Sequence, residues 1–417
     1  MEKNYLARSI DVALLEWKES PLRKPLLVRG ARQVGKSSSV RHLGETFKYF
    51  LLFLDEIQRS EDVIRSLWFF KEDYRELHVV AAGSLLEFAL KDLSSFGVGR
   101  VSSLFVYPMS FDEFLLATGQ QGLWRAKQDS NSSHPLLKAF YEKLVEAFRS
   151  FMLVGGMPEA VAAYAQTGSY RASSDIVNEI LQGYEDDFAK YSAKANPVLL
   201  RQTLVSVAHQ VGAKFVYSRV EGQYRSAEVK TALEMLRDAG LIIPAYHTDA
   251  NGIPLGAEIN ERVVKYLVHD SGILLALLGI DDDTESLIKE LMVENVVDLV
   301  DKGNVAEMIA GLEIMKCYSP QKRHQLYYWQ NMNKGTCAEV DYIIAQGSRI
   351  VPIEVKSGVK GSMSSMYSLM KNPQKHIGRG VRCSLENFGS FLSPDGKTID
   401  IIPLFAISSL FPCSRQE

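Results

Sequence analysis

Three short apolar runs near the start of the chain predict neighbouring strands of one sheet. Residues 25–29, 49–54 and 78–83 are mostly hydrophobic, and each run is followed by small or polar residues. Such continuous hydrophobicity is typical of strands that helices cover on both faces, as in parallel sheets. The pattern therefore predicts an α/β domain at the N-terminus.

The first run leads into a loop with the spacing GxxxxGK[ST], at residues 30–37. Glycines allow consecutive backbone N–H groups to surround phosphate oxygens, and the N-terminus of the next helix faces the anion. In this interpretation Lys36 contacts the outer phosphates and Ser37 holds Mg²⁺. The alternative is a plain strand-to-helix turn. The predicted nucleotide-binding residues are Gly30, Ala31, Arg32, Gln33, Val34, Gly35, Lys36, Ser37 and Ser38.

The second run ends in two acidic residues, Asp55 and Glu56. An apolar strand ending in such a pair is typical of a Walker B strand, in which Asp55 would hold Mg²⁺ through its water shell. Glu56 would then polarise the attacking water as a general base. The alternative is an acidic pair at a helix N-terminus.

Two further residues are candidates for the same chemistry. Ser84 follows the third run, where a small polar side chain could sense the γ-phosphate through the attacking water; alternatively it is only a helix cap. Arg100 follows a glycine-containing turn and is a candidate source of positive charge for the site of a neighbouring subunit. The alternative is a surface or structural arginine.

The middle of the chain predicts helices. Ile176, Ile180, Tyr184 and Phe188 recur every four residues, which indicates one apolar helix face. We therefore expect Tyr184, Phe188 and Tyr191 to be packing residues. The acidic residues at 185–187 are expected on the solvated face.

Residues 199–255 predict two helices, a strand at 241–246 and a tight turn at 249–252, which together resemble a winged helix-turn-helix. Residues 214–238 contain five basic side chains and four acidic ones. The basic residues are Lys214, Arg219, Arg225, Lys230 and Arg237, and the acidic residues are Glu221, Glu228, Glu234 and Asp238. DNA contact through Arg225 and Lys230 and a protein-interaction module with solvated charges remain equal alternatives.

The C-terminal third carries a second group of charged residues. Asp341 lies on one predicted strand, while Glu354 and Lys356, two residues apart, project from the same face of the next. Two carboxylates, here Asp341 and Glu354, can hold Mg²⁺, and the lysine can activate water. These residues resemble the PD-(D/E)xK nuclease core, in which Glu307 on an upstream helix would supply a further acid. The alternatives are amphipathic strands with solvated charges, or a folded domain without catalytic activity.

The N-terminal motifs resemble those of AAA-type P-loop ATPases, and more narrowly a prokaryotic family in which this module precedes a conserved domain of unknown function. The matching phrases lie at residues 30–36, 54–58, 82–84, 98–100, 108–114 and 155–159. One departure matters: between Ser37 and the Walker B strand there is room for a single helix, whereas the family normally places a further strand and helix there.

Composition adds bounds. The 417 residues carry 47 basic and 50 acidic side chains, a net charge of −3, which excludes a protein that binds nucleic acid by bulk charge alone. The chain lacks a signal-peptide pattern and a membrane-length apolar run, so we expect a cytoplasmic protein with no membrane partner. The predicted domains are an AAA-type ATPase domain (1–150), a helical linker (151–195), a winged helix (196–283) and a restriction-endonuclease-like α/β domain (284–417).

Together, these features predict an ATP hydrolase with ATP and Mg²⁺ as cofactors, coupled to DNA binding or processing, with a candidate C-terminal nuclease activity. A homo-oligomer formed through the ATPase domain would allow Arg100 to act in trans. The alternative is a nucleotide-gated protein-interaction switch whose nuclease-like domain is inactive.

Overall fold

The computed structural model describes residues 5–83, 86–87, 90, 99–189, 195–279, 302–331, 338–356, 358 and 361–411. Its N-terminal part is a parallel sheet in the strand order β2-β3-β1-β4, with helices packed on it. This arrangement fits a P-loop nucleotide-binding fold. The elements are α1 (Ile10–Glu19), β1 (Leu26–Arg29), α2 (Lys36–Glu45), β2 (Leu52–Leu54), α3 (Glu61–Asp73), β3 (Val79–Ala82) and β4 (Ser102–Phe105).

The short span after α2 leaves β2 at one edge of the sheet. Residues 46–51, all of them described, contain neither a strand nor a helix between α2 and β2. The strand predicted at 49–54 is therefore shorter than expected: Tyr49 and Phe50 precede it and are 86% and 62% exposed. No neighbouring strand covers this side of β2 within the described residues, which explains why the apolar run is not buried.

Helices dominate the middle of the chain. They are α4 (Phe111–Ala117), α5 (Gln121–Gln128), α6 (Lys138–Val154), α7 (Pro158–Thr167), α8 (Tyr170–Ala189), α9 (Pro197–His209) and α10 (Ser226–Asp238), followed by strands β5 (Ile242–Thr248) and β6 (Ile259–Val268) and helix α11 (Ser271–Leu277). The expectation that residues 185–187 are solvated is wrong for Asp187, which is 5% exposed. Phe188 is buried, as expected of a packing residue, and Tyr191 lies outside the described residues.

The tight turn predicted at 249–252 is also wrong. Residues 249–258 join the antiparallel strands β5 and β6 as a longer loop. A distant residue holds this loop: Lys375 donates hydrogen bonds to the carbonyl of Asp249 and, at 2.9 Å, to Oδ1 of Asn251. The local turn residues predict a short connection, whereas the loop is longer and is held by contacts with a residue distant in sequence.

The C-terminal part has a five-stranded sheet in the order β12-β13-β11-β10-β9 and shares a second sheet, β6-β5-β7-β8, with the preceding section. Its elements are α12 (Lys302–Cys317), β7 (Leu326–Gln330), β8 (Glu339–Val340), β9 (Tyr342–Gln346), β10 (Arg349–Val355), α13 (Ser364–Lys371), β11 (Arg379–Ser384), β12 (Gly389–Leu392) and β13 (Thr398–Pro403). Because β5 pairs with β7, one sheet crosses the predicted boundary between residues 283 and 284.

One hydrophobic core joins these parts. It contains Leu26 of β1, Phe111 of α4, Leu233 of α10 and Phe405 near the C-terminus. The rings of Phe111 and Phe148 meet edge to face at 5.2 Å, and the ring of Phe405 lies 6.4 Å from both. Within the described ranges, the helices are all too short or too polar to cross a bilayer.

Candidate functional site

The glycine-rich loop connects β1 to α2 in a backbone conformation that requires its glycines. Gly30 has φ of +143°, and a Cβ atom there would lie 2.2 Å from the carbonyl oxygen of Val106. Gly35, with φ of +93°, immediately precedes α2. Both conformations are strained for other residues. The two glycines of the predicted motif therefore stand at positions whose backbone conformation favours glycine.

Lys36 is folded into its own loop. The residue is 6% exposed, and its Nζ donates to the carbonyl oxygens of Gly30 at 3.0 Å and Ala31 at 2.6 Å. Burial lowers the pKa of Lys36 to about 8. These carbonyl contacts hold an ammonium where it can exchange them for phosphate oxygens.

The two halves of the predicted Mg²⁺ site face each other. Ser37 Oγ donates to Asp55 Oδ2 at 2.8 Å, although 18 residues separate them, and Asp55 lies directly after β2 at the exposed edge. A hydroxyl and a carboxylate at an open surface fit Mg²⁺, which keeps several waters and takes few protein oxygens. Ser38, the next residue on α2, is exposed.

Glu56 lies beside this pair in a left-handed conformation, with φ of +50°. Its Oε2 accepts a 2.5 Å hydrogen bond from Nε2 of Gln58, a residue that the sequence analysis missed. A Cβ atom on Gly83, directly after β3, would lie 2.1 Å from Oε1 of Gln58, so the amide of Gln58 lies close to the end of that strand. Ser84, which follows, lies outside the described residues.

Arg100 contacts α3 of its own chain. Its guanidinium lies 3.9 Å above the ring of Trp68 and 4.0 Å from a carboxylate oxygen of Glu72. Cation–π contacts of this kind contribute roughly 0.5–2 kcal/mol, so they hold the side chain in place. A role for Arg100 in a neighbouring subunit stays a prediction.

A buried arginine near the N-terminus, Arg8, holds the backbone of the glycine-rich loop. Arg8 donates to the carbonyl oxygens of Val34 at 2.9 Å and Tyr107 at 2.7 Å, and its Nε lies 3.1 Å from Oε1 of Glu113. Burial alone would raise the pKa of Glu113, but Arg8 and the N–H groups of Ser9 and Ser110 outweigh it and hold this pKa below its ordinary value. The sequence offered a signal for Glu113, since residues 110–113 have the S-x-x-E spacing of a capping box. It offered none for Arg8.

Helix α8 contacts the loop from the other side. Asp187 Oδ1 accepts a 2.7 Å hydrogen bond from Nη1 of Arg32, and the hydroxyl of Tyr184 donates to the carbonyl oxygen of Arg32 at 3.1 Å. Tyr184 is buried, as predicted, but it also holds the loop backbone. A Cβ atom on Gly240, just after α10, would lie 3.1 Å from the backbone nitrogen of Ala31. The loop is therefore in contact with the N-terminal helix region, α8 and the predicted winged-helix section.

We expect the substitution Asp187→Asn to weaken ATP binding. The substitution removes the charge that holds Arg32 of the loop against α8. A hydrogen bond to a charged group contributes roughly 1.5–3 kcal/mol at most, and we expect part of this to be lost from ATP binding, as about a 3–10-fold rise in Kd. Isothermal titration with ATP measures this change. Asp186→Asn, an exposed neighbouring carboxylate, is the matched control and should leave Kd unchanged. Equal affinities for the two variants would contradict the role of Asp187.

The predicted nuclease-like residues converge, together with two that the sequence analysis missed. Asp341, between β8 and β9, accepts a 2.7 Å hydrogen bond from the backbone N–H of Val355, and Lys356 Nζ donates to Glu354 Oε1 at 2.6 Å. We name the whole group the charged cluster; its members are Lys265, Glu307, Glu339, Asp341, Glu354 and Lys356.

Lys265 of β6 enters this cluster from the predicted winged-helix section. Its Nζ lies 2.8 Å from Oε1 of Glu307 and 2.5 Å from Oε1 of Glu339. Burial alone would lower the pKa of Lys265, but these two carboxylates outweigh it and raise the pKa. Burial raises the pKa of Glu307 to about 8, and burial together with Asp341 raises the pKa of Glu354 to about 7. Four carboxylates and two ammonium groups therefore share this buried cluster.

Exposed basic residues surround α10. Lys214, Arg219, Arg225 and Lys230 are exposed, whereas Arg237 pairs with Asp238 at 3.0 Å. The acids Glu221, Glu228 and Glu234 are exposed on the same section. The surface charge is therefore mixed, as the composition indicated.

Three family descriptions match parts of the chain. Residues 45–115 match an AAA domain, residues 145–284 a domain of unknown function (DUF8612) and residues 302–406 another domain of unknown function (DUF4143). The AAA match begins after the glycine-rich loop and includes Asp55, Glu56 and strands β2 to β4.

Comparisons with whole proteins were made by sequence and by structure. No curated protein matches the sequence. The solved structure of the Walker-type ATPase PABY2304 of Pyrococcus abyssi aligns over 66% of this chain and 97% of its own, with 15% identity and a TM-score of 0.45. The AAA match, the parallel sheet and the loop geometry together indicate an AAA-type P-loop domain for binding ATP at the N-terminus.

Proposed function

We propose that the protein hydrolyses ATP with Mg²⁺ at the site formed by the glycine-rich loop and the end of β2. The observation that carries this proposal is the 2.8 Å hydrogen bond between Ser37 and Asp55, which brings the two predicted Mg²⁺ ligands together. Lys36 binds the outer phosphates, while Glu56, positioned by Gln58, accepts a proton from the attacking water.

Contacts between the loop and later parts of the chain support coupling of the ATPase cycle to them. Val106 of the segment after β4 lies against Gly30, and three residues further Met109 exchanges hydrogen bonds with distant partners. Its N–H donates to Gly156 at 2.6 Å, and its carbonyl accepts from Lys316 of α12 at 2.9 Å. Helix α12 also carries Glu307 of the charged cluster. A change at the loop thus has a contiguous route to the C-terminal part.

We propose DNA as the partner of the predicted winged-helix section. Arg225 and Lys230 are exposed at the start of α10, and a helix of this kind contacts DNA phosphates through such side chains. The alternative is a nucleotide-gated protein-interaction switch without nuclease activity. The ammonium of Lys265 already occupies the charged cluster, which favours only the absence of nuclease activity.

The DNA proposal predicts that the double substitution Arg225→Ala with Lys230→Ala weakens binding of a short DNA duplex about 10-fold at moderate salt. Each lost phosphate contact also reduces the salt dependence, by about one unit of slope. Fluorescence anisotropy with and without MgATP measures both. Lys322→Ala removes an exposed lysine elsewhere and is the matched control. No binding by the parent, or equal binding by the double variant, would favour the protein-interaction switch.

A further inference from the structure

The charged cluster contains a cation supplied by the chain itself. Lys265 is 2% exposed, extends from the middle of β6 and directs its ammonium between carboxylates on α12 and β8. Its Nζ also lies 4.9 Å from the ring centroid of Tyr328. A buried ammonium with carboxylates at 2.5 and 2.8 Å is a filled cation position, since such a charge is stable in the interior only when it is paired.

A divalent ion does not fit among these side chains as they stand. Mg²⁺ requires several oxygens at about 2.0–2.1 Å in octahedral geometry. Within the described ranges, no group of three or more acidic, histidine or cysteine side chains is arranged to hold a metal. Instead, the ammonium of Lys265 bonds to both Glu307 and Glu339, and the ammonium of Lys356 bonds to one oxygen of Glu354. The predicted Mg²⁺ site at Asp341 and Glu354 is therefore not supported by this arrangement.

The cluster nevertheless retains an acceptor aimed inward. Glu354 is 4% exposed, and its buried Oε2 has no hydrogen-bond partner among the residues that the structure describes. A buried unpaired carboxylate oxygen is costly, and a bound cation or proton would satisfy it.

We propose that Lys265 takes the place of a divalent cation in the charged cluster, so that the cluster is closed to Mg²⁺ and Mn²⁺ unless this side chain is removed. Because β6 belongs to the predicted winged-helix section, that section supplies the blocking group. The cluster then joins β6, α12 and β8 by ion pairs instead of cleaving phosphodiesters.

Mn²⁺ titration of the nucleotide-free, full-length protein tests this proposal, with bound metal counted by electron paramagnetic resonance. We expect the parent protein to show no Mn²⁺ binding that depends on Asp341. Lys265→Ala should gain about one Mn²⁺ per chain, and the added substitution Asp341→Asn should abolish that gain. Mn²⁺ should raise the melting temperature of Lys265→Ala alone. Lys214→Ala removes an exposed lysine on the neighbouring strand segment and should gain nothing.

Two results would overturn the proposal. One is Mn²⁺ bound by the parent protein and lost on Asp341→Asn; this measurement needs no Lys265 variant. The other is a folded Lys265→Ala protein that binds no additional Mn²⁺. If Lys265→Ala does not fold, Lys265→Gln, which keeps a polar side chain at this position, takes its place and the same criteria apply. Because nucleotide is absent, failure of the ATPase proposal would leave each of these outcomes unchanged.

Discussion

Replacing Lys36 with alanine should abolish measurable ATP binding, raising Kd roughly 10²–10³-fold. The ammonium is buried in the loop and bonded to the carbonyls of Gly30 and Ala31, and phosphate oxygens offer it stronger, charge-assisted hydrogen bonds. No other lysine lies in the loop to take its place. Titration calorimetry with MgATP measures the change, and Lys48→Ala, an exposed lysine after α2, is the matched control.

Glu56→Gln should separate binding from hydrolysis in the same assay system. The substitution keeps a polar side chain beside Gln58 but removes the proton acceptor, so we expect Kd for ATP to stay within about threefold while kcat falls on the order of 10²–10⁴-fold. Phosphate release measures kcat. Parental rates for both Lys36→Ala and Glu56→Gln would remove the assigned site, whereas a fall in binding alone for Glu56→Gln would make this residue a structural support.

Local sequence patterns predicted the residues of the nucleotide site that lie near one another in the fold. The glycine spacing defines the loop because φ at Gly30 and Gly35 is inaccessible to most side chains, and an apolar strand ending in acids brings Asp55 to the sheet edge. Both signals lie within a few residues of the group that they position. The sequence indicates the strand order less directly. The only sign that β2 lies at the edge of the sheet is that the span between α2 and β2 is too short for another strand.

The supporting residues could not be predicted because their partners are distant in sequence. Arg8 lies 26 positions from Val34, Asp187 lies 155 positions from Arg32, and Lys265 lies 42 positions from Glu307. The sequence position of a charged residue does not indicate which opposite charge it will contact in the fold. The sequence places Asp187 on the solvated face with Glu185 and Asp186, whereas in the fold Asp187 is buried and bonded to Arg32 of the loop.

The same reasoning explains why the C-terminal residues could be found but their chemistry could not. Strand alternation places Glu354 and Lys356 on one face, so convergence with Asp341 follows from the period of a strand. Whether that point holds a metal depends on Lys265, which comes from β6, an element of the preceding section. Charge compensation across sections is a tertiary property, and only the fold reveals it.

The substitution Glu113→Ala should destabilise the protein by about 3–5 kcal/mol, because it leaves Arg8 buried without its carboxylate. Glu113 also accepts hydrogen bonds from Ser9 N–H at 2.6 Å and Ser110 N–H at 2.7 Å, which would lose their acceptor. Urea-induced unfolding followed by tryptophan fluorescence should show a midpoint lower by on the order of 1 M. Glu142→Ala, an exposed acid on α6, is the control and should change the free energy of unfolding by less than about 0.5 kcal/mol.

The pH dependence of that difference identifies its cause. The folded state holds the pKa of Glu113 below its ordinary value of 4.5, so the contribution of the carboxylate is complete above that pH and is lost as pH falls through the lower folded pKa. Parent and Glu113→Ala should therefore converge in stability in acid. Since Arg8 also bonds to Val34 of the loop, the variant at neutral pH should bind ATP more weakly as well. A stability difference that persists undiminished at low pH would mean that packing, and not the Arg8–Glu113 pair, holds the loop.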